Sequence, residues 1–348
     1  MKMNKTVYCD YSFLKDFLKS CPKHNDDPLV EDPVVSWIKV YQFLYTSATY
    51  LNISKSQFVV EALKDKDLMK FFKACTNMNF YEKDFPFGED KDYKRASQET
   101  LNSVYISSLN KFERAELSSM LGIIVLGKQD VTEFIKQHEE KTIAIPKGSH
   151  FSSWGEIKFP EQAKKSNSMV IVDNYILDDT TKIKANLGSI LDVLLPNKSL
   201  VDYHIMVFGI LKGTKKSLTE KDAERRYQLL NDEIKRIRPQ LKYKLSIFNS
   251  GEFHDRIIIT NNVWIDCGGG FDLFNNGKAC KRTNLRFAFP FLINRAQSKS
   301  WINEAFVYLI KDCIRVFKQD HKYKYDYWGE ETCENRLLSY YSQKVFEY

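Results

Sequence analysis

The chain has 348 residues, of which 43% are hydrophobic and 28% are charged, and Lys and Arg outnumber Asp and Glu by 52 to 45. This length is enough for two domains with separate cores, and the mild excess of positive charge suits an anionic partner such as nucleic acid without requiring one. No apolar run reaches the roughly eighteen residues of a membrane span, and no apolar signal core follows Met1. We therefore expect a cytoplasmic protein that does not bind membranes.

The seven cysteines are scattered, form no Cys-x-x-Cys pair and are odd in number. This pattern argues against both a disulfide framework and a zinc site. The abundance of Lys, Asn, Tyr, Phe and Ile is typical of proteins from AT-rich bacterial genomes. We expect reduced, mostly buried thiols in a bacterial protein.

The first part of the chain predicts one strand followed by helices. Thr6–Cys9 is the strand, and amphipathic spacing predicts a helix over 13–21. Aromatic and apolar residues between 34 and 72 have the spacing of two helices packed on each other, with Ser54 as the N-cap between them.

The next part predicts a polar surface loop, three helices and a strand. The loop covers 81–96, and the helices cover 98–110, 113–121 and 131–140. The strand, 142–146, is expected to close the first domain. A polar stretch over the next twenty or so residues, rich in Gly, Ser and Pro, is the predicted domain boundary.

Asp10 comes directly after the first strand and is followed by Tyr11 and Ser12. A strand, an acid and a small hydroxyl residue in this order resemble the start of PIN-domain nucleases, in which carboxylates hold a divalent metal over a phosphodiester. Glu61 and Asp130 would be further carboxylates of such a site. The competing interpretation is that Asp10 caps the following helix.

The second half alternates strands and helices, which predicts an α/β sheet covered by helices. The predicted strands are 169–173, 203–210 and 242–249, and the predicted helices are 183–195 and 219–237. Asp173, at the C-terminal end of the first of these strands, and Tyr175 lie where ligands are bound in such sheets. Asp173 could equally cap the next turn.

A β-hairpin is predicted directly after the last of these strands. The apolar runs 256–260 and 263–267 are joined by Asn261-Asn262, a turn sequence. His254 precedes the hairpin and Arg256 begins it, and because they are two residues apart on extended backbone, they project to the same side.

These residues have the spacing of the active-site motif of the phospholipase D superfamily. That motif has His, any residue, Lys, four residues, Asp, six residues and then Gly-Gly or Gly-Ser, often followed by Asn. His254, Arg256, Asn261 and Gly268-Gly269 occur at that spacing, but Arg256 replaces Lys, Asn261 replaces Asp, and Phe271 stands where the final Asn would be.

The chain is most similar in pattern to the single-motif phospholipase D-like domains at the C-terminus of MIT (microtubule-interacting and trafficking) proteins and in bacterial conflict-system proteins. These have His-Asp-Arg, a strand, a turn, a second strand with Trp, and Gly-x-Gly-apolar-Asp, which corresponds here to Gly268–Asp272. The resemblance covers about 165–318 and leaves the first 140 or so residues unexplained.

The resemblance implies a phosphodiester site. In the enzymes one histidine attacks phosphorus and a second histidine, from another copy of the motif, protonates the leaving oxygen. His254 would be the nucleophile and Arg256 the phosphate clamp, while Asn261 and the backbone N–H groups of Gly268–Gly270 would contact the anion. Asp272 would orient His254 in place of the missing motif carboxylate, or simply cap the glycine turn.

The chain contains one copy of the motif. None of the other five histidines has Lys or Arg two residues further on. Catalysis would therefore require a homodimer that brings two copies of His254 together. The alternative is that His254 is a structural histidine at the mouth of the hairpin.

A basic loop follows the glycines and predicts contacts with a phosphate backbone. Its cations are Lys278, Lys281, Arg282 and Arg286. Further on, a helix is expected over 301–317, and an aromatic tail, 322–328, is expected to dock on the first domain or on a partner subunit.

We expect an α/β protein with two domains. A mostly helical α/β domain over 1–150, for which a PIN-like fold is one alternative, would precede a phospholipase D-like domain over 151–348, with a mixed sheet flanked by helices. Three functions are open. The first is a dimeric nuclease or effector of a bacterial antiphage system, with a protein partner from the same operon. The second is an inactive module that senses DNA, RNA or a nucleotide, and the third is a nuclease that uses a metal ion held by Asp10. No cofactor is expected outside the third.

Overall fold

A computed structural model of the chain describes residues 6–23, 33–75, 77–80, 103–136, 141–210, 219–250, 253–289, 308–316, 327–329 and 335–339. The chain divides into two compact units. The first unit consists of Met1–Ser118, Ile123–Glu139 and Phe291–Ser298, and the second consists of Ser119–Gly122, Glu140–Pro290 and Lys299–Tyr348. Both units contain helices and strands, so the expected α/β class is confirmed.

The first unit has a five-stranded parallel sheet in the order β3-β2-β1-β4-β5. Its strands are β1 (Thr6–Cys9), β2 (Ala48–Leu51), β3 (Met78–Phe80), β4 (Ser103–Ile106) and β5 (Ile124–Leu126). The described helices are α1 (Tyr11–Lys19), α2 (Pro33–Thr46), α3 (Lys55–Lys64), α4 (Lys66–Ala74), α5 (Lys111–Leu121) and α6 (Lys128–Lys136). One face of the sheet, including Val7, Cys9 and Val104, packs into a core with buried side chains of α1, α2, α3, α4 and α6.

The described part of the first unit contains more helix than strand, as expected, but its sheet includes strands where helices were predicted. Residues 103–106 form the buried strand β4 inside the range where a helix was predicted, and residues 98–102 lie outside the described part. Strand β2 separates the two helices expected over 34–72. Short strands buried on both faces have no period-2 alternation, so periodicity does not separate them from helix. The expected N-cap at Ser54 is confirmed, because its side chain accepts a hydrogen bond from the Gln57 N–H.

The second unit has an eight-stranded mixed sheet in the order β15-β9-β8-β7-β10-β11-β14-β6. Its strands are β6 (Lys141–Ile145), β7 (Ser168–Val172), β8 (Tyr203–Gly209), β9 (Tyr243–Asn249), β10 (Ile257–Thr260), β11 (Trp264–Cys267), β14 (Thr283–Ala288) and β15 (Tyr327–Gly329). Strands β7, β8 and β9 are parallel, and every other pairing in this sheet is antiparallel.

The helical elements of the second unit follow the predicted order. A 3-10 turn (Trp154–Glu156) and α7 (Glu161–Lys164) precede β7, and α8 (Thr180–Ile183) continues through a π-helical turn (Lys184–Gly188) into α9 (Ser189–Leu194). Helix α10 (Glu220–Ile237) lies between β8 and β9. None of the helices in the described part is long and apolar enough to cross a membrane.

Two expected segments have different partners from those predicted. Strand β6 pairs with β14 in the second unit and so does not close the first. Of the aromatic tail, residues 322–326 lie outside the described part, and Tyr327 and Trp328 belong to β15, which pairs with β9 of the second unit. A local sequence pattern identifies a strand but not the strand it pairs with. Of the helix expected over 301–317, the structure describes residues 308–316, and these are helical.

The predicted hairpin is confirmed and lies in the middle of the sheet. Strand β10 pairs with β11 on one side and with β7 on the other, and Ile257 is opposite Val172. Because β10 runs antiparallel to β7, the residues that enter β10 meet those that leave β7. The residues that leave β11 reach the same end of the sheet. His254, Arg256 and Asp173 are therefore gathered at the carboxyl ends of the parallel strands.

Candidate functional site

Asp173 joins two loops at the carboxyl ends of the parallel strands of the second unit. Its carboxylate is fully buried, Oδ1 accepts a hydrogen bond from the Tyr175 N–H at 2.8 Å, and Oδ2 accepts one from the Phe271 N–H at 2.7 Å. Burial raises the pKa of this carboxyl, and the two backbone hydrogen bonds oppose that shift. Asp173 therefore fixes the loop after β7 to the loop after β11, and its burial prevents direct contact with a ligand.

Two further side chains hold the loop after β11. The Trp154 indole N–H donates to the Phe271 carbonyl oxygen at 3.2 Å. Asn186, in the π-helical turn, accepts from the Phe274 N–H at 2.8 Å and donates to the Phe274 carbonyl oxygen at 2.9 Å. Neither contact has a local sequence signal, because the two partners of each are distant in the chain. π-helical turns often occur at functional sites, and this one directs the Asn186 amide to the backbone of Phe274.

The backbone N–H groups of Gly268–Gly270 are all used within the protein. In chain order they donate to the carbonyl oxygen of Asn284 at 3.2 Å, to Oγ1 of Thr283 at 2.7 Å and to the carbonyl oxygen of Cys267 at 2.8 Å. These groups therefore do not supply the anion contacts that the motif predicted. A phosphate at this site would have to be bound by side chains.

The glycines are required for close packing instead. Gly270 has φ of 89°, and a Cβ there would lie 2.8 Å from Oδ1 of Asp272, 3.3 Å from Nζ of Lys281 and 3.5 Å from Cδ of Arg256. A Cβ on Gly269 would lie 2.8 Å from the Thr283 side chain. The loop thus passes directly beside two cations and one acid, which only glycine allows.

Arg256 is the cation of this cluster that has an aromatic neighbour. It is half-buried, and its guanidinium carbon lies 5.4 Å from the centroid of the Tyr175 ring, within cation–π range. Among the residues that the structure describes, no carboxylate forms an ion pair with Arg256. Its planar set of N–H donors is suited to binding two oxygens of a phosphate.

Asp272 is paired with Lys281 and not with His254. The carboxylate contacts the Lys281 ammonium directly, and both side chains are partly buried. The imidazole of His254 is exposed and forms no hydrogen bond with any residue in the described ranges. The expected role of Asp272 in orienting His254 is therefore absent from this arrangement, and Asp272 instead neutralises the nearby lysine.

Asn261 lies at the opposite end of the hairpin from His254. It is 1% exposed, its Oδ1 accepts from the N–H groups of Asn167 and Ser168 at 3.2 and 3.0 Å, and its Nδ2 donates to Oδ1 of Asn167 at 2.9 Å. The amide therefore fixes the turn to the start of β7. It does not reach the phosphate site that the motif spacing predicted.

The basic loop contains both exposed and paired cations. Lys278 and Arg282 are exposed, whereas Arg286 forms an ion pair with Asp266 across the β11–β14 ladder at 3.3 Å. Lys278 lies on a small two-stranded ladder, β12 (Phe274–Asn275) and β13 (Lys278–Ala279), whose turn Asn276-Gly277 has positive φ at both residues, as a tight hairpin requires. Of the four cations predicted to contact nucleic acid, Lys278 and Arg282 have exposed side chains that a ligand in solution can reach.

In the first unit, Asp10 has a different role from both expectations. Its carboxylate accepts from the N–H and hydroxyl of Ser108 at 2.6 and 2.9 Å and from the Asn52 amide at 3.1 Å. It makes no capping hydrogen bond to α1, because Oδ1 of Asn52 accepts from the Tyr11 N–H at 2.7 Å and takes that role. Asp10 therefore links the loops after β1, β2 and β4.

The other two candidate metal ligands are not gathered around Asp10. Glu61 pairs with Lys15 at 2.8 Å, and Asp130 pairs with Arg114 at 3.0 Å. Within the described ranges, no group of three or more His, Cys, Asp or Glu residues could hold a metal ion. The geometry therefore gives no support to metal-dependent cleavage through Asp10.

No family model matches the chain, and no curated protein matches it.

Gly270→Ala should destabilise the second unit, because the substitution combines positive φ with contacts to Asp272, Lys281 and Arg256. We expect the free energy of unfolding to fall by about 1–3 kcal/mol, measured by denaturant titration. Gly268→Ala is the matched control, since its Cβ would meet nothing within 4 Å. Equal stability of the two variants would contradict the packing role of Gly270.

Asp173→Asn should also destabilise the protein, because the amide N–H₂ would face one of the two backbone N–H donors that the carboxylate now accepts from. The expected loss is about 1–3 kcal/mol, measured in the same titration. Asp255→Asn, at an exposed position nearby, should leave stability within about 0.5 kcal/mol of the parent. An unchanged unfolding midpoint for Asp173→Asn would show that Asp173 does not hold the two loops together.

Proposed function

We propose that the second unit is a phospholipase D-like domain that binds a phosphodiester group of nucleic acid at Arg256. The observation that carries the proposal is the half-buried guanidinium beside Tyr175, without a carboxylate partner among the described residues, next to the exposed His254. A cation in partly desolvated surroundings attracts an anion more strongly than one in bulk water. Lys281 adds little net charge because Asp272 neutralises it.

Surrounding charges support nucleic acid as the source of the phosphate. Lys278 and Arg282 are exposed on the loop that follows the glycines, and could contact neighbouring phosphates of an extended chain. The resemblance to bacterial conflict-system domains makes an antiphage role, with a protein partner from the same operon, our proposal for the biological setting.

A second candidate function is cleavage by a homodimer, favoured by the exposure of His254. A phosphohistidine mechanism needs a second histidine to protonate the leaving oxygen. His204 cannot serve within one chain, because it is buried at the start of β8, the opposite end of the parallel strands, and its Nδ1 accepts from the Arg336 N–H at 3.0 Å. An exposed His254 is free to meet its copy across a two-fold axis.

Arg256→Ala should weaken the binding of labelled oligonucleotides by about 10-fold to 100-fold, as expected for the loss of charge-assisted hydrogen bonds. It should also reduce the salt dependence of binding by about one phosphate contact. Fluorescence anisotropy over a range of salt concentrations measures both. Arg315→Ala, which removes an equally charged side chain from the helix at 308–316, is the control. Equal affinities of the two variants would overturn the proposed site.

The same oligonucleotides distinguish binding from cleavage. Cleavage that persists in EDTA and disappears in His254→Ala would establish the histidine mechanism, because that chemistry uses no metal ion. Binding without cleavage by the wild type would leave the domain as a nucleic-acid-sensing module.

A further inference from the structure

Tyr175 is a large aromatic side chain exposed at the candidate phosphate site. It is 43% exposed, although it lies three residues after the fully buried strand β7 and two after the buried Asp173. Single exposed apolar residues are common on protein surfaces and need no explanation by themselves. Tyr175 differs because it lies against the guanidinium of Arg256 and because its backbone is fixed.

The loop that carries Tyr175 is held from both sides. The Tyr175 N–H donates to Oδ1 of Asp173, and the buried Arg226 of α10 donates to the carbonyl oxygens of Leu177 and Asp178 at 2.7 and 3.1 Å. These contacts fix the backbone at Tyr175 and at the two residues after Ile176. An aromatic side chain on a preorganised loop can receive a ligand at a small entropic cost.

We propose that Tyr175 is a stacking platform for a nucleobase whose neighbouring phosphate is bound by Arg256, so that the site selects single-stranded over duplex nucleic acid. This inference rests on the proposed function and names its substrate class. In a duplex both faces of each base are covered by neighbouring bases, so the ring of Tyr175 has no partner there. In a single strand the bases can turn outward and stack on an aromatic side chain.

The two side chains also reinforce each other. The cation–π contact, at 5.4 Å from the guanidinium carbon to the ring centroid, limits the orientations available to Arg256. The guanidinium lies over one face of the phenol ring, so a base would stack on the other face. A nucleotide carries a phosphate and a base on the same sugar, so the two groups can be bound by neighbouring side chains.

The test compares three fluorescein-labelled probes of about ten nucleotides: a single-stranded oligothymidylate, its abasic counterpart with the same phosphates but no bases, and a duplex. Anisotropy titrations of the full chain at one salt concentration give the three affinities. We expect the oligothymidylate to bind between about 5-fold and 100-fold more tightly than the abasic strand, the range typical of one stacked base. The duplex should bind more weakly than the oligothymidylate.

Variants assign this difference to the ring. Tyr175→Leu should bind the oligothymidylate and the abasic strand equally, whereas Tyr175→Phe, which keeps the ring, should preserve the difference. Thermal unfolding of each variant verifies that the fold is intact. Because the wild-type comparison of probes needs no mutation, the proposal is tested even if Tyr175→Leu fails to fold.

The outcomes separate this inference from the function on which it rests. Equal wild-type affinities for the two strands, with Arg256→Ala still weakening both, would overturn the stacking role and leave the phosphate site intact. A preference for bases that survives in Tyr175→Leu would also overturn it, since another residue would then be the platform. No binding of any probe, or binding indifferent to Arg256→Ala, would overturn the phosphate site and the stacking role together.

Discussion

The arrangement of the candidate site depends on one buried carboxylate. Asp173 accepts two backbone hydrogen bonds, one from the loop after β7 and one from the loop after β11, with no exposure to water. A buried ionised group is costly unless its hydrogen-bonding capacity is used, and here each oxygen has a fixed donor. The backbone of Tyr175 and the loop after β11 are therefore fixed by the same carboxylate.

The hydrogen bonds that the glycine N–H groups already make within the protein determine which other atoms can recognise a ligand. In anion sites formed by backbone N–H groups, those groups are left unpaired until the ligand arrives. The N–H groups of Gly268–Gly270 already have acceptors within the protein, so recognition at this site passes to the side chains. Arg256 supplies charge, Tyr175 supplies an aromatic surface, and His254 is exposed beside them. Glycine is needed here because the loop passes so close to Arg256 and Lys281.

The sequence predicted the second unit far better than the first. Its strands and helices have clear periods or caps, such as Thr219, which forms a reciprocal capping box with Asp222 at the start of α10, and the β10–β11 hairpin follows from its turn sequence. Strand β4 was missed because a four-residue buried run has no diagnostic period. At the site, motif spacing located His254 and Arg256 at one end of the hairpin. It could not locate the Asn186 and Trp154 contacts, which only the tertiary fold brings to the loop.

The π-helical turn between α8 and α9 has a consequence for how this site can vary. A π turn contains one residue more than an α-helical turn, and each residue of an α-helix accounts for about 100° of rotation. Removing one residue from Lys184–Gly188 would rotate Asn186 away from both backbone groups of Phe274, while the helix itself would become more regular. The irregular turn therefore sets the orientation of Asn186. A shorter, more regular helix would lose both hydrogen bonds between Asn186 and the backbone of Phe274.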